Sequence, residues 1–137
     1  MIKHIAPVMA VGAASALLFA GSASAAAQHH KPRTFAACSA RGAYAICDAG
    51  GTVNHPSSLW LHVRAKPRQR VTGAWDVTCS KGEGVGERGG SFTGKTVLTR
   101  RMTMNYKHPD QCIVAADAQL SEGGNSDSIH MWLTVGN

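Results

Sequence analysis

The sequence carries few of the marks of chemistry. It has no G-x-S-x-G and no H-E-x-x-H, and no pair of histidines stands at ligand spacing in the part expected to fold. The nucleophile-elbow hydrolases and the zincin proteases therefore find no support. No cysteine lies two to four residues from another, which sets aside a zinc knuckle. No helical period follows residue 26, no second apolar stretch follows the first, and none of the usual nucleic-acid-binding patterns occurs. The eight carboxylates, Asp48, Asp76, Glu83, Glu87, Asp110, Asp117, Glu122 and Asp127, read as scattered. No catalytic residue, metal or cofactor is expected.

What is present begins with an export signal. Lys3 and His4 make a short basic start, and Ile5 to Gly21 are uncharged and mostly apolar. Ala23 and Ala25 then fit the small-x-small pattern behind which signal peptidase cuts. An apolar run of 17 residues, rich in Ala and Gly and without a basic stop-transfer flank, would barely span a ~30 Å hydrocarbon core. The chain is therefore expected to be a secreted, extracellular protein that meets a membrane only through its uncleaved signal peptide. The expected division is a helical signal peptide over 1–25, a disordered leader over 26–33 and one β-domain over 34–137. Cleavage after Ala26 or Ala27 instead would put a histidine third in the chain, an arrangement able to hold Cu(II) in a square plane. That outcome is the less favoured.

Cutting after Ala25 leaves 112 residues, enough for a single domain. Cys38, Cys47, Cys79 and Cys112 all lie in that part, and an even number in an oxidising compartment reads as two disulfides. Four cysteines allow three pairings, among which the sequence does not choose; Cys38–Cys47 with Cys79–Cys112 is the preferred one. On a loop-entropy model these would contribute roughly 2.5–3 and 3.5–4 kcal/mol. Thirteen Lys and Arg against eight Asp and Glu leave a net charge of +5, which favours solubility and loose attraction to polyanions, not a specific nucleic acid.

Period-two alternation recurs along the chain. Leu59, Leu61 and Val63 face one way, with Trp60, His62 and Arg64 facing the other. Beyond a turn at Lys66 to Gln69, the residues Val71, Gly73, Trp75, Val77 and Cys79 share a face. A third strand is read through Leu98, Met102, Met104 and Tyr106, with Arg100 interrupting the face. Cys112 to Leu120 and Ile129 to Val135 complete the set, with turn-rich segments between. Thr34 to Pro56 reads as a short hairpin or irregular strand, and Gly82 to Gly94 as a loose glycine loop. Several short strands with Gly- and Asn-rich turns predict an all-β fold, a small antiparallel β-sandwich with two disulfides.

Trp75 near Cys79, with Cys112 on another inward face, is similar to the tryptophan-packed inter-sheet disulfide of immunoglobulin-like sandwiches. The chain departs from the antibody pattern, because Trp75 precedes the first cysteine on its own strand and no Tyr-x-Cys stands before Cys112. The pattern Trp75-x-Val77-x-Cys79 and, later, Cys112-x-Val114-x-Ala116-x-Ala118 resembles an uncharacterised group of small secreted actinobacterial proteins. The resemblance covers roughly residues 58–137 and implies export and fold, without an activity.

Three local features remain. Gly84 to Gly89 spells G-x-G-x-x-G, but no helix follows to face a pyrophosphate, and Glu83 and Glu87 would repel one. Arg64, Lys66, Arg68 and Arg70 crowd around Pro67, where they suit a solvated hairpin end more than an anion site. Trp60-x-His62 and His130-x-Trp132 each set a tryptophan and a histidine opposite an apolar row. If the two strands are neighbours, these four side chains share one surface beside Arg64, unless residues 34–56 cover it. Tryptophan is enriched in binding hot spots. The expected function is therefore a non-enzymatic binding module for a cell-wall polymer or extracellular protein, with Trp60, His62, Arg64, His130 and Trp132 as its site. A protease inhibitor presenting Lys81 to Gly94 and a small extracellular hydrolase stand behind it. Oligomeric state is left open.

Overall fold

The computed structural model describes residues 31–95 and 97–137. The expected signal peptide, most of the leader and the amino-terminal copper arrangement lie outside the described residues. Eight strands follow in order: β1 Arg33–Arg41, β2 Ile46–Asn54, β3 Ser58–Lys66, β4 Arg70–Lys81, β5 Gly84–Lys95, β6 Val97–Met102, β7 Gln111–Leu120 and β8 Ser128–Gly136. They form two four-stranded antiparallel sheets: a front sheet, β1-β8-β3-β6, and a back sheet, β2-β7-β4-β5.

The ladders β4–β5, β3–β6, β2–β7 and β1–β8 nest inside one another, so the chain is one long hairpin with its tip at Gly82 and Glu83. Folding this ribbon over itself adds two further ladders, β3–β8 and β4–β7, and splits it into two sheets. That order is a jelly roll. The sandwich expected from the sequence is present, but its strand order is not that of the immunoglobulin domain, whose sheets run ABED and CFG.

The core is what the alternation demands. Leu59, Leu61, Val63 and Ala65 of β3 and Ile129, Met131, Leu133 and Val135 of β8 point inward from the front sheet. Val71, Val77, Val114, Ala116, Ala118 and Leu120 meet them from the back sheet. Each fully buried Leu, Ile or Val contributes roughly 1.5–3 kcal/mol relative to exposure.

The disulfides are Cys38–Cys47 and Cys79–Cys112. Their roles differ from the sequence expectation. Cys79 and Cys112 stand directly opposite each other on neighbouring strands of the back sheet, so this bond lies within a sheet, not between sheets. The bond between sheets is Cys38–Cys47, which ties β1 in front to β2 behind.

Other corrections concern segments poor in large apolar residues. Residues 34–56 are two nine-residue strands in different sheets, not a short hairpin. β1 begins at Arg33, opposite Val135. A bulge at Phe35 lets that ring pack toward Gly51, where a Cβ would stand only 3.3 Å from it. The loose glycine loop is the strand β5, paired with β4 along its whole length. Its glycines make room for side chains from elsewhere: a Cβ on Gly90 would stand 2.9 Å from the Trp75 ring. β6 ends at Met102, leaving Met104 and Tyr106 outside any strand. Arg100 is at an inward register, opposite Leu61, yet stays exposed because β6 is an edge strand. The basic turn at Pro67 is a crossover from the front sheet to the back, not a hairpin end.

Candidate functional site: the outer face of the front sheet

The rolled ribbon pairs β3 with β8, and the register does the rest. Inward packing of Leu59, Leu61 and Val63 forces Trp60, His62 and Arg64 outward; Ile129, Met131 and Leu133 do the same for His130 and Trp132. Across the ladder, Trp60 faces Thr134, His62 faces Trp132 and Arg64 faces His130. All five residues singled out in the sequence thus occupy one face. β1 adds Ser39 beside His130, and β6 adds Thr99 beside His62 and Arg101 beside Trp60. Residues 34–56 do not cover this face, since β1 extends the front sheet and β2 belongs to the back one.

Trp132 is the hub. The His62 ring stacks on it with centroids 5.0 Å apart and planes 8° from parallel. The His130 ring stacks at 5.2 Å and 24°. Such pairs add roughly 0.5–1.5 kcal/mol beyond area burial. At the other end, the Arg101 guanidinium carbon lies 6.0 Å from the Trp60 ring centroid, at the outer reach of a cation–π contact.

The two histidines differ in what they can do. His62 has both ring nitrogens engaged, Nε2 with Thr134 Oγ1 at 3.0 Å and Nδ1 with Thr99 Oγ1 at 3.3 Å. A neutral imidazole has one donor and one acceptor, so one threonine hydroxyl accepts from the ring and the other donates to it. Burial pushes its pKa below the ordinary 6.5, favouring the neutral form. His62 is therefore a wall of the site. His130 is exposed; Ser39 Oγ bonds its Nδ1 at 2.7 Å, leaving Nε2 to meet a ligand.

The opposite face was not foreseen. A shallow open trough of about 760 Å³ crosses the back sheet, floored by Gly50, Ala74, Ala115 and Ser91 and edged by Asp48, Asp76 and Asp117. These carboxylates are gathered, not scattered: Asp48 stands directly opposite Asp117, and Asp76 one pleat further along β4 from Ala74, which also faces Asp117. Their shared outward parity on β2, β4 and β7 was the signal, and it could be used only once β2 was known to be a strand. Among the described residues, no three His, Cys, Asp or Glu side chains are placed to hold a metal ion. The G-x-G-x-x-G run lies within β5, with no helix behind it.

No family model and no curated protein matches the chain. Among solved structures it is similar to TmCBM61 in complex with beta-1,4-galactotriose, at 12% identity and a TM-score of 0.36, over 74% of this chain and 68% of that one. The similarity is too remote to bear on this chain's ligand.

Proposed function

We propose that this chain is a secreted, non-enzymatic binding module whose partner, a cell-surface polymer, lies across the outer face of the front sheet. The observation that supports it is the β3–β8 register, which sets two tryptophans, two histidines and Arg64 on one open face. Tryptophan and arginine are the residues most enriched where binding energy concentrates. The stacked rings and the threonine bonds of His62 hold these side chains in place before a ligand arrives, which lowers the ordering cost of binding. Two disulfides accord with an oxidising, extracellular setting.

The two alternatives are less well supported. An inhibitor would need Lys81 to Gly94 as a presented loop, and that segment is a hairpin strand paired with β4. A hydrolase built on the Ser39–His130 contact would need a third group to orient the histidine; among the described residues, Ser39 is the hydrogen-bond partner that His130 has.

The test is retention of the mature protein on insoluble cell-wall material, comparing wild type with Trp60→Ala and Trp132→Ala and following folding by circular dichroism. Loss of retention in folded variants supports the proposal. Undiminished retention in both contradicts it. Because Trp60 and Trp132 are half-buried, the exposed Arg64→Ala serves as a third variant that leaves the fold unchanged.

A further inference from the structure

The charge of the front sheet narrows the partner. Its four strands contain no Asp or Glu, but six Lys and Arg: Arg33, Arg41, Arg64, Lys66, Arg100 and Arg101. Of these, Arg64, Lys66 and Arg101 fall at outward register positions around the Trp60–Trp132 platform, and Arg41 lies at its edge opposite Ser128. All four are exposed. No ion pair to a carboxylate engages them among the described residues. Cations of one sign on a single surface repel one another, and the cost is relieved when an anion supplies the countercharge.

Building on the proposed binding role of this face, we infer that its ligand is an anionic polysaccharide, a chain of sugars bearing carboxylates or phosphates. Arg64 and Arg101 supply planar guanidinium forks that take either group bidentately. Hydroxyls and an imidazole accompany the cations: Thr99 between Arg64 and Arg101, and Ser39, Ser128 and the free nitrogen of His130 on the other side of Arg64. That mixture suits a polymer dense in hydroxyls. Along β3, Trp60 to Lys66 extends about 20 Å, room for several sugar units in one extended run.

Two other polyanions fit less well. Single-stranded nucleic acid is held by bases stacking on successive free aromatic rings, and here Trp132 already carries both histidines while Trp60 has Arg101 over it. An anionic membrane would want protruding aliphatic side chains; of the large exposed hydrophobics, Val97 alone lies on this sheet, at its edge strand.

Affinity electrophoresis of the mature protein in gels containing polygalacturonate, polyglycerol phosphate or neutral dextran reads this directly, with single-stranded oligothymidylate and anionic lipid vesicles as competitors. The expected result is retardation by one or both anionic polymers and none by dextran. It should weaken roughly tenfold from 50 to 500 mM NaCl as the charges are screened. Arg64→Ala with Arg101→Ala should weaken it about tenfold or more, and Asp76→Asn should leave it unchanged. Retardation by polygalacturonate or by polyglycerol phosphate distinguishes carboxylate from phosphate, and either supports the inference. Equal, salt-insensitive retardation by dextran overturns it while leaving a binding face in place. Tighter binding to the oligonucleotide or the vesicles also overturns it. Silence with all five probes also overturns it, and retention on insoluble cell-wall material then decides the binding role separately.

Discussion

The two outer faces of this sandwich are built on the same inner logic and decorated in opposite ways. In both sheets alternate residues bury Leu, Ile, Val, Ala or Cys against the other sheet. Outward, the front sheet carries rings, hydroxyls and cations with no acid. The back sheet has one acid in each strand, Asp48, Asp76, Glu87 and Asp117, over a floor of Gly, Ala and Ser, with its cations, Arg70, Lys81, Arg88 and Lys95, confined to β4 and β5. Packing constrains only the inward half of each strand, so the outward half is free to differ. The large half-buried rings on one face, and the like-charged Asp48–Asp117 pair on the other, are therefore not dictated by the core.

The largest effect with which to sharpen the contrast is on stability. The bond within the back sheet closes 33 residues and the bond between the sheets closes 9. Replacing Cys79 and Cys112 together by Ala should cost about 2–5 kcal/mol, and more than the same change at Cys38 and Cys47. Denaturant melts of the two double variants check the order, and the reverse order would show that joining the sheets matters more than loop length.

Next comes binding. Trp132→Ala removes the ring on which both histidines stack and should lose about 2 kcal/mol of affinity, roughly 30-fold. Asp76→Asn on the back face should change affinity less than about twofold, the scatter expected for a site away from the contact. Equal losses would erase the distinction between the faces. Gly90→Ala probes the back sheet alone: its new methyl meets the Trp75 ring, and overpacking of that kind should cost about 1–3 kcal/mol in a thermal melt.

The smallest effect concerns pH. Folding lowers the pKa of His62, so the unfolded chain binds the proton more readily. The stability this contributes is fully present above the ordinary imidazole value of 6.5 and is lost as pH falls from there through the lowered folded value. His62→Gln should therefore show a shallower decline of melting temperature between pH 7 and 5 than wild type. An unchanged slope would mean that His62 is not the group responsible.

Much of the architecture was legible where large apolar residues alternate. β3, β4, β7 and β8 announce themselves, and their parity placed Trp60, His62, His130 and Trp132 outward. The neighbourhood of β3 and β8, only a condition in the sequence, arises from the rolling of a jelly-roll ribbon. β5 was hidden because its inward positions are largely glycine, the space at them filled by Trp75 of the neighbouring β4 and by Leu98, Asn105 and Tyr106 from further along the chain. β2 was hidden likewise, its Gly51 accepting Phe35. A strand whose packing partner comes from elsewhere has no period of its own to read. The inter-sheet role of Cys38–Cys47 and the gathering of Asp48, Asp76 and Asp117 both depend on β2, and so stayed out of view with it.

Of the two faces, the front one is assigned the ligand. Hydroxyl-radical footprinting of the mature protein, with and without saturating polygalacturonate, reads both faces at once. Protection of Trp60, His130 and Trp132, with Ile113 of the back sheet oxidised as before, is the result predicted. Protection at Ile113 and Ile46 with the front rings unchanged would place the ligand on the acidic face and contradict the account.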